Sequence, residues 1–106
     1  MSETPHPSLV TDNRQRQRFE LVEGGEIAFA DYRREGDHLV IAYVEAPPAL
    51  RGTGAAGRLM AGVVAHAQAE GLSLIPLCGY AAAWLRRHPE RGDAGGFAKI
   101  DKNSSS

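Results

Sequence analysis

The chain reads as a single α+β domain with a mostly antiparallel sheet, its elements in the order β-β-β-α-β-α. Three observations predict this. Three runs rich in strand-forming residues, joined by short polar turns, precede any helical periodicity. One long amphipathic stretch follows them and ends at a glycine. The 106-residue length leaves room for one hydrophobic core.

Each element has its own local cause. Arg14 to Glu23 reads as the first strand, with RQRQR running into FELVE and ending at the Gly24-Gly25 turn. Glu26 to Arg34 is the second. Ile27, Phe29 and Asp31 share one of its faces, and Ala28, Ala30 and Tyr32 the other. Glu35-Gly36-Asp37 supplies the next turn. HLVIAYVEA, residues 38–46, is the strongest strand signal, dense in β-branched and aromatic side chains, and Pro47-Pro48 stops it because proline cannot donate to a ladder. A helix of about 16 residues then runs to Glu70, with Ala56, Leu59, Met60, Val63, Val64 and Ala67 on one apolar face. Gly71 ends it in the left-handed C′ role. LSLIPLC, residues 72–78, is a short buried strand. A helix between two strands points to a right-handed crossover, so strands three and four are expected to be parallel neighbours. The last helix, Tyr80 to His88, places Tyr80 over Trp84 and Ala81 over Leu85, and Pro89 closes it.

Residues 1–13 read as a flexible tail, 14–90 as the domain and 91–106 as a disordered tail. A domain of that size is marginal alone, so a bound ligand or a partner subunit, as in a homo-oligomer, is expected to add stability. Lys+Arg 12 against Asp+Glu 13, a net charge of −1, gives no pull toward nucleic acid or an anionic membrane. No apolar run approaches a membrane span, and the polar N-terminus lacks a signal-peptide core. The cytoplasm is the expected compartment. A lone Cys78 excludes an internal disulfide and a cysteine zinc cluster. His38, His66 and His88 have no metal-ligand spacing, and His66 falls on the polar face of the long helix. No metal is expected.

Gly52, Gly54 and Gly57 spell G-x-G-x-x-G within RGTGAAGR. The dinucleotide reading fails on context. Three antiparallel strands precede the glycines, PALR separates them from Pro47, and no acidic residue ends the next strand. A P-loop is excluded because no Lys-Ser/Thr pair follows. Two readings remain. The glycines serve a tight turn with close helix–sheet packing, or they bare main-chain N–H groups at the positive end of a helix, where a pyrophosphate is welcome. Arg51 adds charge beside that loop, and Arg58, one turn into the helix, is placed to reach a phosphate. Gly57 and Gly62 lie inside the helix, each costing about 1 kcal/mol against alanine. A close approach by a ligand or another backbone is expected there.

Arg51-x-x-Gly54-x-Ala56 resembles the Gln/Arg-x-x-Gly-x-Gly/Ala signature of the GNAT superfamily of acetyl-CoA-dependent N-acetyltransferases. YVEAPPALRGTGAAGRLM together with IPLCGYAAAWLRRHPE is similar to its compact, Yjdj-type branch, over about Phe19 to Glu90. The resemblance implies a sheet splayed between strands three and four, with the pantetheine arm of acetyl-CoA paired to the backbone of Tyr43, Val44, Glu45 and Ala46. It implies a pyrophosphate on the loop formed by Arg51, Gly52, Thr53, Gly54, Ala55, Ala56 and Gly57, a thioester directed at Cys78, and an unidentified amine as acceptor. The chain departs from the full-size enzymes in lacking two acceptor-site helices after its first strand. The tyrosine those enzymes carry in the last helix falls near Arg86, and Tyr80 sits a turn and a half earlier. The compact branch has a histidine where this chain has Tyr43.

Within that frame Glu45 is the candidate base, ordering a water, or a plain solvent carboxylate. Cys78 stands where a strand meets a helix N-terminus, which favours a thiolate, so it is a candidate acyl acceptor or acid, or else a buried inert thiol. Tyr43 reads mainly as a packing residue, Tyr80 and Trp84 as a helix-packing pair, and Arg86-Arg87 as solvated charges. The function implied is acetyl transfer to an amine. A non-catalytic module that binds acyl-CoA and presents it to a partner is the alternative.

Overall fold

The computed structural model describes residues 10–88. Five strands form one sheet in the order β1-β2-β3-β4-β5: β1 Val10–Asn13, β2 Arg18–Glu23, β3 Glu26–Glu35, β4 His38–Glu45 and β5 Ser73–Pro76. Helix α1, Ala55–Glu70, links β4 to β5, and α2, Gly79–Arg87, follows β5. The first three pairings are antiparallel and β4 with β5 is parallel. The expected series is therefore present as β2 to α2, with one further strand in front of it.

That strand corrects the N-terminal reading. Val10–Asn13, placed in the tail by sequence, pairs with β2 from Val10↔Leu21 to Asn13↔Arg18. Arg14 to Gln17, read as strand, is instead the turn between them. The Asn13 carboxamide accepts the Arg16 N–H at 3.2 Å, and Gln17 takes a left-handed φ of 55°. Residues 1–9 and 89–106, including the expected C-terminal tail, lie outside the described residues.

The core takes Phe19, Leu21, Ala28, Ala30, Tyr32, Leu39, Ile41 and Leu74 from one side of the sheet. It meets Leu59, Met60, Val63, Val64 and Ala67 of α1, and Ala81, Trp84 and Leu85 of α2. Gly62 has a specific cause. A Cβ there would lie 2.2 Å from Cγ2 of Val10, so the glycine lets β1 dock on α1. The close approach expected from sequence is thus made by a side chain of this fold. His66 is also half-buried rather than on a polar face. Its Nε2 lies 2.8 Å from the Val10 carbonyl and its ring 5.1 Å from that of Phe19. Beside it, the Tyr32 hydroxyl donates to Asp12 at 2.5 Å, and Arg34 bridges Asp12 at 3.2 Å and Glu70 at 2.7 Å. Burial and the Asp12 hydrogen bond raise the Tyr32 phenol pKa, and the hydrogen bond from Arg34 lowers that of Glu70.

One irregularity positions the site. Tyr32 stands opposite Ile41, and the next residue back, Asp31, stands opposite Tyr43, so Ala42 is an extra residue on β4. Such a bulge shifts the two-residue alternation by one. Leu39 and Ile41 point into the core before it, and Val44 and Ala46 pack against the core after it. Tyr43 is thereby turned out and is 49% exposed, which corrects its reading as a packing residue. The ladder to β5 ends at the same place. Pairing runs only from His38↔Ser73 to Ile41↔Pro76, and the Ile41 carbonyl takes the last bonds, from the N–H groups of Leu77 at 3.0 Å and Cys78 at 3.2 Å. Beyond Ile41 the sheet is open between β4 and the end of β5.

Candidate functional site

The glycine loop closes the mouth of that opening. A short 3₁₀ turn, Pro48–Leu50, carries the chain from β4, and Gly52 and Gly54 then adopt φ of 80° and 88°. These values suit glycine, because a Cβ there would crowd the following carbonyl. The main-chain donors divide into two sets. Arg51, Thr53 and Arg58 donate to the carbonyls of Pro48, Leu50 and Gly54, and the Ala55 N–H donates to the Thr53 hydroxyl oxygen at 3.2 Å. The N–H groups of Gly52, Gly54, Ala56 and Gly57 have no partner among the described residues. Four such donors at and before the start of a 16-residue helix give its positively polarised end hydrogen-bond groups suited to a diphosphate. The Thr53 hydroxyl is used inside the loop, donating to the Leu50 carbonyl at 2.6 Å. A Cβ on Gly57 would lie 3.4 Å from Nε1 of Trp84, an ordinary contact, so α2 packs beside this turn without requiring the glycine.

The two arginines chosen from sequence have other partners. Arg58 makes a two-pronged pair with Glu23, at 2.8 and 2.7 Å, so its reach toward a phosphate competes with a formed ion pair. Glu23 lies 35 residues earlier and carries no local signal of this contact. Arg51 folds back on β4. Its Nε donates to the Ala46 carbonyl at 3.0 Å, and its Nη2 lies 3.7 Å from the Glu45 carboxylate. Its charge stays at the loop, and it ties the loop to the strand.

On the strand side, the Tyr43 hydroxyl donates to the Glu45 carboxylate. Glu45 is therefore held between a phenol and a guanidinium. That hydrogen bond, the Glu45 charge, slight desolvation and the Cys78 side chain all raise the Tyr43 pKa, while Arg51 lowers it. Tyr43, Glu45, Arg51 and Cys78 thus share one electrostatic neighbourhood, although 35 residues of sequence separate Tyr43 from Cys78. Cys78 is half-buried, in the N-cap position of α2. Its chain neighbours Leu77 and Tyr80 are 61% and 37% exposed, adding an apolar lip. Trp84 stacks on His88 at 4.0 Å between ring centroids, and His88 Nδ1 meets the Trp84 carbonyl at 2.9 Å. Sequence reasoning placed Tyr80 over Trp84 and missed this pair.

Among the described residues no group of three or more His, Cys, Asp or Glu side chains could hold a metal ion, and no helix is long and apolar enough to cross a membrane.

A five-stranded mixed sheet that opens between two parallel strands, with a glycine loop and helix at the mouth, defines a compact N-acyltransferase-type α+β fold. The family model described as GCN5-related N-acetyl-transferase matches residues 18–94, and the chain belongs to that family. No curated protein gives a sequence match to the chain.

Proposed function

We propose that this chain binds acetyl-CoA and transfers its acetyl group to an amine. The observation that carries this reading is the set of four amides, on Gly52, Gly54, Ala56 and Gly57, that have no partner among the described residues, at the mouth of the β4–β5 opening. The diphosphate would rest on those amides, with Arg51 and Thr53 to Arg58 forming the rim. The pantetheine arm would follow the free edge of Tyr43, Val44, Glu45 and Ala46, and the thioester would end near Cys78.

The chemistry then needs three things: an unprotonated amine, a polarised thioester carbonyl and a proton for the departing sulfur. Glu45, held in place by Tyr43 and Arg51, takes a proton from the amine through a water. The amine nitrogen bonds to the carbonyl carbon, the carbon–sulfur bond breaks, and the CoA thiolate picks up one proton. In a second route the Cys78 thiol takes the acetyl group first, releasing CoA, and passes it to the amine in a second displacement. In both routes an acetyl-CoA and a protonated amine become an acetylamide, CoA and one free proton.

Gly54→Glu tests the loop. It puts bulk and negative charge among the donors and should lower CoA affinity by at least about 100-fold. The left-handed backbone also imposes roughly 1–2 kcal/mol of strain. Gly36→Glu is the matched control: Gly36 has φ 63° in a turn where a Cβ meets nothing within 4 Å. The control should lose similar stability and keep CoA. Equal CoA affinity in Gly54→Glu and wild type would remove the loop from the site.

The sheet face carrying Tyr43 has no covering helix among the described residues, which favours the binding-module reading. CoA release that depends on an added amine supports the enzyme. Tight acetyl-CoA binding with no release supports the module.

A further inference from the structure

On the sheet face opposite the core, beside Tyr43 and Glu45 of the proposed acetyl-CoA site, stand two side chains that site does not use, Phe29 and Asp31. Outward on β3 stand Ile27, Phe29 and Asp31; outward on β4, after the bulge, stand Tyr43 and Glu45. Register pairs Phe29 with Glu45 and Asp31 with Tyr43, so two rings and two carboxylates alternate around one quartet. The rings of Phe29 and Tyr43 lie 6.2 Å apart, tilted by 52°.

The two carboxylates differ. Glu45 is held by Tyr43 and faces Arg51. Asp31 is partly buried; Arg18 stands opposite it in the β2–β3 register, but that guanidinium is turned to Phe29 and Glu20, and Asp31 has no hydrogen-bond or ion-pair partner among the described residues. The same face already holds a cation of the chain's own: the Arg18 guanidinium lies 4.4 Å over the Phe29 ring, with its charge met by Glu20 at 2.9 Å. Aromatic faces with a nearby carboxylate attract an alkylammonium group, the rings covering its methylenes and the acid its charge.

We propose that Phe29, Asp31 and Tyr43 form an acceptor-recognition patch that holds a second ammonium group, making the acceptor an alkyl diamine or polyamine. The inference rests on the acetyltransferase reading. Its logic is electrostatic. An unneutralised carboxylate beside the reacting nitrogen would keep that nitrogen protonated, and an ammonium cannot attack a thioester. Asp31 therefore suits the far end of the acceptor. The reacting end lies toward Glu45, whose charge is already shared with Tyr43 and Arg51, and toward Cys78.

The test compares 1,5-diaminopentane with n-pentylamine, which has the same chain and one nitrogen. In wild type, kcat/KM should favour the diamine about tenfold, and Asp31→Asn should bring the two within about twofold, chiefly through KM for the diamine. Equal use of both amines by wild type, or an unchanged preference in Asp31→Asn, overturns the proposal. A separate readout needs no turnover. Titration of 1,5-diaminopentane into the full chain should shift the Phe29 and Tyr43 ring resonances, and these shifts should weaken about tenfold in Asp31→Asn. Absent shifts in wild type also overturn the patch. Failure of CoA to bind overturns the acetyltransferase reading instead, and the ring titration still judges the patch.

Discussion

The two ends of the sheet handle their polar groups in opposite ways. At the β1 end, Asp12, Arg14, Tyr32, Arg34, His66 and Glu70 bond to one another or to a nearby carbonyl, and only the buried Arg34 Nε is left without a partner among the described residues. Toward the β4–β5 end, four main-chain N–H groups of the glycine loop have no partner among the described residues, and neither does the Asp31 carboxylate on the neighbouring strand β3. Both ends contain glycines that sequence alone makes suspicious. The partners separate them: Gly62 lies against Val10, while Gly52 and Gly54 face open space or a flexible arginine tip. A closed network stabilises the fold; groups left without partners in an opening are available to a ligand.

If that division is right, changes at the two ends should dissociate stability from function. The largest effect expected is on stability, from Gly62→Val. Even one added carbon would overlap Val10 at 2.2 Å from Cγ2 and 2.5 Å from Cβ, and Val10 sits on a strand that cannot retreat without breaking its ladder. Overpacking of this kind costs about 3 kcal/mol, or roughly 10 °C or more in Tm for a small domain. Thermal unfolding measures it, and CoA affinity of the folded protein should stay near wild type. An unchanged Tm would mean that β1 is not docked on α1 in solution.

Cys78→Ala is the mirror image at the open end. It should leave Tm close to wild type and lower amine acetylation by about 100-fold, equivalent to roughly 2.7 kcal/mol of barrier, with CoA binding retained. Steady-state turnover alongside a CoA titration separates the two quantities. Full activity in Cys78→Ala would reduce the thiol to a packing role and leave the direct attack guided by Glu45 as the route.

Much of the fold was legible because its signals are local. The meander turns at Gly24-Gly25 and Gly36, the 16-residue span of α1 and its end at Gly71 all follow from neighbouring residues. Three features were not legible, each for a long-range reason. VTDN is too short and polar to read as a strand, and it earns that state from Gly62 and His66, more than 50 positions later. The bulge at Ala42 leaves no mark in HLVIAYVE, because apolar residues fill both phases of the alternation. Tyr43 therefore read as packing, and the quartet with Phe29 and Asp31 stayed hidden although both lie on the face that alternation gives them. Arg58 looked free for a phosphate until folding brought Glu23 beside it. The glycine loop was legible for the opposite reason: its chemistry belongs to its own backbone.

The smallest predicted effect probes the closed network by pH. Glu70 accepts from Arg34 at 2.7 Å and Arg14 at 3.4 Å, and these cations, Arg34 foremost, hold its carboxyl below the usual glutamate value near 4.5. A carboxyl whose pKa is lower folded than unfolded stabilises the fold at pH above the unfolded value. That contribution fades as pH falls through the folded value, because both states then bind the proton. Glu70→Gln should therefore cost stability at pH 7, and the deficit against wild type should shrink below about pH 4.5. The pair is partly solvent-exposed, so the deficit is about 0.5 kcal/mol at low salt and less at high salt. Denaturant unfolding of both proteins at pH 7 and pH 3 measures it. A deficit that grows on acidification would mean that Glu70 is not held as an anion by Arg34, and that the β1 end is less closed than its geometry indicates.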